Sequence, residues 1–252
     1  MRAARVACGA IAKQLLGTFG IEIRSHIVQL GGVPEAPLSK TWDEIAAIPS
    51  DSPLNCADAK AEMKMIAYID QAKTDGDTLG GVFEVVANGL PVGLGSHTSW
   101  EDKLDGRIAR AIMSIHAIKA VEIGTGVENA GKSGSQVHDE IFHDGKAFSR
   151  KTNRAGGLEG GITNGEELRV RGYMKPISTL RKPLHSVDID TKAEDLAAFE
   201  RSDITAVPAA GVIGEAMLAI VLANSMREKF GGDSMDEMKR NFDSYGTAIK
   251  EY

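Results

Sequence analysis

Apolar and polar positions along the chain predict helices and strands that follow one another without a regular βαβ alternation. Apolar rows at helical spacing predict three helices, over residues 3–16, 57–72 and 209–230. Period-two alternation or short apolar runs predict four strands, over residues 21–27, 79–87, 120–123 and 167–174. Because hairpin-like strands are mixed with helices, the pattern favours an α+β fold over a doubly wound parallel sheet.

The helix predicted over 209–230 is apolar nearly all round in its first half, which is typical of a central, buried helix. The helix predicted over 57–72 is amphipathic instead. Its spacing assigns four residues to the inner face: Ala59, Met63, Ile66 and Ile69.

Local signals predict how several other segments begin and end. Asn88-Gly89 predicts a hairpin that leads onto residues 91–95. Ser99–Asp102 resembles a capping box, which would open a helix through about residue 115. Residues 124–165 are polar and glycine-rich, and the chain from residue 236 onwards resembles a charged surface tail with weak helical character.

Composition and charge narrow the functional classes. The 252 residues are 42% apolar and carry a net charge of −6, which argues against a general nucleic-acid binder. The longest apolar run, Ala216–Ala223, is too short to span a bilayer. Cys8 and Cys56 lie far apart and are typical of reduced thiols in a cytosolic protein. We therefore expect a soluble, cytoplasmic protein.

One segment fits the phosphate-binding P-loop expression. Gly126–Ser133 has the pattern GxxxxGKS, in which backbone N–H groups and the lysine would hold phosphates. A P-loop opens a substantial helix, whereas Gly134 and a polar stretch follow here. A P-loop NTPase is therefore only a remote alternative.

Two histidines near this segment raise the possibility of a metal site. His138 and His143 are five residues apart, a spacing that does not put them on one helical face, and glycines flank them. A solvated turn explains the segment better than a rigid ligand set does. We expect no metal.

Three segments carry residues suited to an anionic or flat ligand. Arg201, Ser202 and Asp203 stand just before the buried helix, where an arginine can bind an anion and a carboxylate can transfer a proton. A helix cap with a surface ion pair is the alternative. Five glycines fall within residues 156–165, as in a loop whose backbone approaches a ligand closely or in a mobile surface loop. Lys175–Thr179 supplies a cation and hydroxyls after a strand.

Several short blocks, in register, resemble the chorismate synthase family over essentially the whole chain. They are Arg5–Ala10, Gly76–Gly81, Pro91–Gly95, Ala155–Gly157, Gly160–Ile162, Lys175–Ser178 and the stretch Arg201–Ala216. Ile204 departs from the last block, which usually carries a smaller residue or proline there. The family also has a further N-terminal segment with a Gly-Glu-Ser-His motif and a second histidine, its general acids, and with substrate-binding arginines. None of the six histidines here lies in a matching motif.

The resemblance implies a single chorismate synthase domain over 1–252, incomplete at its N-terminus, with a β-α-β sandwich of helices between antiparallel sheets. It implies an anti-1,4-elimination of phosphate from 5-enolpyruvylshikimate 3-phosphate, with reduced FMN, in a homotetramer of the shikimate pathway. A link to NADP is also implied, without deciding which enzyme reduces the flavin. A catalytically incomplete fragment or non-catalytic remnant, kept soluble by a partner, is the alternative.

The resemblance also implies the site residues. Asp203 is the expected proton-transfer residue. The expected cofactor-binding residues are His116, Ala117, Gly160, Lys175, Pro176, Ile177, Ser178, Thr179 and Arg201.

Overall fold

The computed structural model of the chain describes residues 2–34, 40–145, 148–198 and 203–251. The helices in these ranges are α1 (Arg2–Gly17), α2 (Trp42–Ala46), α3 (Ala59–Asp75), α4 (Leu104–Met113), α5 (Gly126–Asn129), α6 (Gly134–Val137), α7 (Val207–Phe230) and α8 (Met235–Lys250). The strands are β1 (Glu22–Leu30), β2 (Val33–Pro34), β3 (Gly81–Asn88), β4 (Ile118–Ile123), β5 (Ile141–His143), β6 (Phe148–Arg150), β7 (Leu158–Glu159), β8 (Ile162–Thr163), β9 (Leu168–Met174), β10 (His185–Val187) and β11 (Glu194–Leu196).

An antiparallel five-stranded sheet in the order β2-β1-β3-β9-β4 organises the chain. The remaining strands form three two-stranded hairpins, β5–β6, β7–β8 and β10–β11. The α+β class with antiparallel sheets and helices, expected from the sequence, is confirmed. In the described ranges α7 packs against α1, α4, α8 and the strands β1 and β3, so the long helix lies on one face of the sheet.

Small residues let α7 approach its neighbours closely. A Cβ placed on Gly9 of α1 would lie 2.3 Å from the Cβ of Ala216, so the two helices cross almost backbone to backbone. A Cβ on Gly214 would lie 2.7 Å from the ring of Phe83 in β3. The helix therefore sits directly on the sheet, because glycine leaves room for the phenyl ring.

A carboxylate in the middle of α7 ties three elements together. Glu215 pairs with Lys13 of α1 at 2.5 Å, and its other oxygen accepts hydrogen bonds from the backbone N–H and the hydroxyl of Ser25 at 2.8 and 2.7 Å. Because the Glu215 side chain is only 17% exposed, these partners compensate its partial burial. The glutamate thereby fixes how α1, α7 and β1 pack.

The main helices and strands expected from the sequence are present. The predicted helices correspond to α1, α3 and α7, and the predicted strands correspond to β1, β3, β4 and β9, with end shifts of a few residues. The central, buried position of α7 is confirmed, since thirteen of its residues are buried. It is also long and apolar enough to cross a membrane, but packing as a core helix accounts for this because 56% of its apolar window is buried.

The predicted inner face of α3 was wrong in part. Met63 is 65% exposed and Ala59 is also exposed, whereas Ile66 and Ile69 are half-buried against the core. The fully buried positions are instead Ala61, Met65 and Ala72. Two apolar rows therefore run along this helix, and the row with Ala61, Met65 and Ala72 is the one that is fully buried.

Two predicted local structures were also wrong. Asn88-Gly89 does not lead β3 into a hairpin with 91–95, because β3 is already paired on both sides, with β1 and β9. Residues 91–95 form turns with one isolated bridge, Gly95 to Ile162. The helix expected to run through about residue 115 is present as α4, but the capping box at Ser99 does not open it: α4 begins at Leu104, and Lys103 gives it no side-chain cap.

The C-terminal segment is more ordered than its charge indicated. Instead of a weakly helical tail, α8 is a regular sixteen-residue helix capped by the Ser234 hydroxyl. Its Phe242 makes edge-on contacts with Phe19 and Phe230, with ring centroids 5.2 Å apart in each case. Aromatic packing of this kind stabilises an amphipathic helix whose remaining faces are charged.

Candidate active site

One edge of the five-stranded sheet gathers most of the predicted site residues. Met174, the last residue of β9, pairs with Gly81 at the start of β3 and with Ile118 at the start of β4. The segments that flank these strand ends therefore meet at this edge. They include residues 116–117, 175–179 and 77–80.

His116 and Ala117 form the link between α4 and β4. Ala117 has φ of +67°, a left-handed conformation that costs an alanine about 1–2 kcal/mol. Its carbonyl accepts a hydrogen bond of 2.9 Å from the backbone N–H of Lys175. This bond puts the predicted pair directly beside the predicted Lys175–Thr179 segment, and the imidazole of His116 is exposed there.

The Lys175–Thr179 segment leaves the sheet as an extended loop. Lys175, Pro176 and Ser178 are exposed, and Ile177 is half-buried. The hydroxyl of Thr78 donates a hydrogen bond of 2.6 Å to the carbonyl of Ile177. The loop is thus fixed by its backbone, which leaves its ammonium and the Ser178 hydroxyl directed to solvent.

Asp203 lies on the same edge. Its neighbour Ile204 accepts a hydrogen bond of 2.8 Å from the backbone N–H of Leu79, the residue after Thr78. Asp203 itself is exposed. It does not cap α7, because the N-cap of that helix is Ala206 and the nearest side-chain contact is from Thr205. Arg201 and Ser202 lie outside the described residues.

Gly160 is the one described site residue that stands apart. It occupies the turn between β7 and β8 with φ of +64°, and a Cβ there would meet nothing within 4 Å. The next residue, Gly161, accepts a hydrogen bond from Leu104 at the start of α4. His116 follows the other end of that helix, which is about 15 Å long for ten residues at 1.5 Å each.

Comparison with known proteins decides the family. The sequence profile described as chorismate synthase matches residues 1–226. The chain belongs to the chorismate synthase family. A curated chorismate synthase from Solibacter usitatus is 55% identical over 99% of this chain, and one from Brevibacillus brevis is 54% identical over 98%. This chain spans 65% and 64% of their lengths, respectively.

Solved structures agree with the sequence comparison. A crystal structure of chorismate synthase superposes with a TM-score of 0.85 at 44% identity, covering 100% of this chain and 70% of that one. The β-α-β resemblance expected from the motif blocks is therefore confirmed at the level of fold. The profile match ends before α8, which lies beyond residue 226.

The P-loop-like segment of this chorismate synthase family member does not form a phosphate cradle. The carboxylate of Glu122 accepts a hydrogen bond of 2.9 Å from the N–H of Val127, at the start of the four-residue helix α5. The Lys132 ammonium pairs with Glu128. An acidic side chain therefore stands where a phosphate would need N–H donors, which argues against the NTPase alternative.

Of the two histidines considered for a metal site, His143 has other partners. The ring of His143 packs against Phe148 at 4.7 Å between centroids, and its Nδ1 accepts the N–H of Gly145. Within the described ranges, no group of three or more His, Cys, Asp or Glu side chains is placed to hold a metal ion.

The sequence analysis missed a buried ionic cluster on the sheet. Glu84 of β3 is fully buried and accepts hydrogen bonds from Arg169 at 2.9 Å and Arg171 at 2.8 Å, both on β9. His26 Nε2 of β1 lies 3.0 Å from Glu84 Oε2, the oxygen that also accepts from Arg169, whereas Arg171 binds Oε1. A glutamate inside the apolar run of β3, with two arginines spaced two apart on another strand, was the available signal.

The cluster changes the pKa values of its members. Burial tends to raise the pKa of Glu84, but the hydrogen bond from His26 and the charges of Arg171 and Arg169 outweigh it and lower the pKa below 4.5. Tyr173 donates its hydroxyl to Glu122 at one margin of the cluster. Burial, together with the neighbouring carboxylate, raises the pKa of Tyr173 to about 12. The cluster thus holds the Glu84 carboxylate in its ionised form between two arginines.

Proposed function

We propose that this chain carries the cofactor-binding edge of a chorismate synthase that eliminates phosphate from 5-enolpyruvylshikimate 3-phosphate. The observation that supports this most directly is the hydrogen bond from Lys175 to Ala117. It joins two segments, 58 residues apart in sequence, that the family resemblance assigns to the same cofactor. The reaction itself is inferred from membership of the chorismate synthase family.

The residues at this edge fit reduced FMN. A flavin mononucleotide carries a phosphate, and an exposed ammonium with neighbouring hydroxyls is a donor set suited to an anion. Lys175 and Ser178 would hold the phosphate end, while His116 and Ala117 would contact the ring system. When bound, reduced FMN supplies electron density that eases departure of the substrate phosphate.

Asp203 is the residue that we propose for proton transfer. The reaction removes a proton from C6 of the ring and phosphate from C3, so a base must lie near the cofactor. The Asp203 carboxylate is exposed, and the bond between Leu79 and Ile204 holds it at the same edge as Lys175. Arg201, two residues earlier, would bind the leaving phosphate or the cofactor phosphate.

Gly160 requires a different explanation from the other cofactor residues. Because Gly160 lies near the start of α4 and Ala117 follows its other end, Gly160 would contact the same FMN only across a second subunit or at the far end of the ligand. We propose a homotetramer in the cytoplasm. Exposed apolar side chains such as Trp100, 81% accessible, favour association of subunits. The net charge of −6 disfavours a nucleic-acid partner, and reduction of the flavin would be linked to NADP.

The test uses this chain joined to the N-terminal segment of the Solibacter usitatus relative, with reduced FMN supplied anaerobically. We expect Asp203→Asn to lower single-turnover chorismate formation by about 10²-fold or more while FMN affinity changes little, because a group acting in the transition state is lost. Asp243→Asn, the same exchange at an exposed position of α8, is the matched control.

Lys175→Ala should show the opposite behaviour. Losing one cation from a bound anion typically costs about 1.5–3 kcal/mol, so FMN affinity should fall by about 10- to 150-fold and saturating FMN should recover much of the rate. Lys64→Ala, at an exposed position of α3, controls for loss of charge. If Asp203→Asn weakens FMN binding and excess FMN restores its full rate, Asp203 is a ligand and not the base.

A further inference from the structure

A short segment before β3, residues 76–80, contacts both loops of the candidate site. The Thr78 hydroxyl donates to the carbonyl of Ile177 at 2.6 Å, and the next residue, Leu79, donates its N–H to the carbonyl of Ile204 at 2.8 Å. One dipeptide is therefore bonded to the Lys175–Thr179 loop and to the segment that carries Asp203. Both of these segments lie far from the dipeptide in sequence.

The same segment is packed too tightly to shift. A Cβ on Gly80 would lie 2.4 Å from the carbonyl oxygen of Met174 and 2.9 Å from the nitrogen of Pro176. At the other end, the carbonyl of Gly76 accepts a hydrogen bond of 3.0 Å from Lys182. The 76–80 segment thus runs along the loop from before Lys175 to beyond Thr179.

Of these contacts, only the hydrogen bond donated by Thr78 depends on a side chain. The residue is 6% exposed, so its hydroxyl cannot exchange the Ile177 carbonyl for water without opening the loop. A carbonyl accepts this bond at the middle of the loop, between the exposed Lys175 and Ser178. The position suits a residue that sets the loop without contacting a ligand.

We propose that Thr78 is a positioning residue, which fixes the Lys175–Thr179 loop relative to Asp203 and so pre-organises the cofactor edge. The inference rests on the proposed function for its role in FMN binding. It acts through Ile177 and not by contact with FMN. Pre-organised loops bind ligands more tightly because less ordering remains to be done on binding.

The first test measures backbone hydrogen exchange of the chain itself. Thr78→Val removes the hydroxyl at nearly constant volume, and Thr78→Ser keeps it. Peptides covering 175–182 should exchange about 5- to 10-fold faster in Thr78→Val and at the parent rate in Thr78→Ser, because one hydrogen bond protects the loop.

Thr163→Val is the matched control for this exchange experiment. Thr163 is 2% exposed and its hydroxyl also donates to a backbone carbonyl at 2.6 Å, that of Pro91. It lies on β8, away from the loop, so its variant should leave 175–182 unchanged. Unchanged exchange of 175–182 in Thr78→Val, or equal acceleration in Thr163→Val, would overturn the proposal.

The second test titrates FMN into the fusion with the relative's N-terminal segment, following flavin fluorescence. We expect Thr78→Val to raise the FMN dissociation constant about fivefold and Thr78→Ser to restore it. Faster loop exchange with unchanged FMN affinity would contradict the positioning role. If the parent protein binds no FMN, the proposed function fails, and the exchange experiment alone decides whether Thr78 fixes the loop.

Discussion

Glu84 offers the sharpest test of how the sheet is stabilised. Its fully buried carboxylate receives hydrogen bonds from Arg169 and Arg171, whose side chains are only 9% and 12% exposed. Glutamine has the same shape as glutamate but carries no charge. Its amide NH₂ group is a hydrogen-bond donor, and here it would face the N–H donors of the arginines. Glu84→Gln would therefore leave two buried guanidinium groups without their shared counter-charge.

The expected loss follows from the partners that remain. Removing one member of a buried ion pair costs about 3–5 kcal/mol. Here Arg169 keeps Glu167, and Arg171 keeps Glu122 at 3.5 Å, so we expect the lower end, about 3 kcal/mol. For a domain of this size, that loss lowers the melting temperature by about 6–12 °C.

The assay is urea denaturation followed by far-ultraviolet circular dichroism, with the free energy of unfolding taken by linear extrapolation. Glu128→Gln is the control, because Glu128 pairs with Lys132 at the surface, where charge loss has little effect. An unchanged denaturation midpoint in Glu84→Gln would refute the reasoning, as would an equal loss in both variants.

The difference in the free energy of unfolding between the parent and Glu84→Gln should also depend on pH, which gives a second check. The pKa of Glu84 is lowered in the folded state, so its ionised form stabilises the fold above the ordinary value of 4.5. The stability gap between the parent and Glu84→Gln should be constant near neutral pH. It should close as the pH falls below 4.5 and through the folded-state pKa, where the parent carboxyl also becomes neutral. A stability difference that grows as the pH falls would contradict the lowered pKa of Glu84 in the folded state.

Two further predictions concern function. Lys132→Ala should leave nucleotide behaviour unchanged, because Lys132 is held by Glu128 and not by a phosphate; calorimetry that shows micromolar ATP binding, lost in the variant, would revive the NTPase alternative. The 252-residue polypeptide by itself should not turn over 5-enolpyruvylshikimate 3-phosphate with reduced FMN, because the family's general acids are in a segment that it does not match, and general acid catalysis supplies about 10²–10⁴-fold. Near-normal chorismate formation would show that another group replaces them.

The sequence predicted those helices and strands in which the spacing of apolar residues fits only one kind of secondary structure. The apolar run of α7 predicted a buried helix, and the alternation in β1 predicted a strand. The strand is present, but it is half-buried only over its first residues, because Ser25–Val28 are buried on both faces. Patterns did not distinguish between two apolar rows on α3, so the exposed Met63 was assigned to the core. The choice between such rows is made by the element packed against the helix, which a single sequence does not show.

The candidate site was predictable only in its parts. Family resemblance assigned Ala117 and Lys175 to the expected cofactor site, but their hydrogen bond depends on the register of β9 with β4. The register of β9 with β3, its other neighbour, brings Arg171 opposite Glu84. Strand pairing between distant segments has no local signal, and for that reason neither the Thr78 contact nor the ionic cluster could be read from the chain alone.

The strand order has a consequence for synthesis of the chain on the ribosome. In the sheet, β9 lies between β3 and β4, although it is made after both. About 80 residues separate the end of β3 from the start of β9, so at about 5–20 residues per second one side of β3 remains unpaired for about 4–16 s. An apolar strand with an open edge is a template for pairing with another chain. The nascent protein therefore passes through a period in which aggregation competes with folding, and it ends only when residues 168–174 emerge.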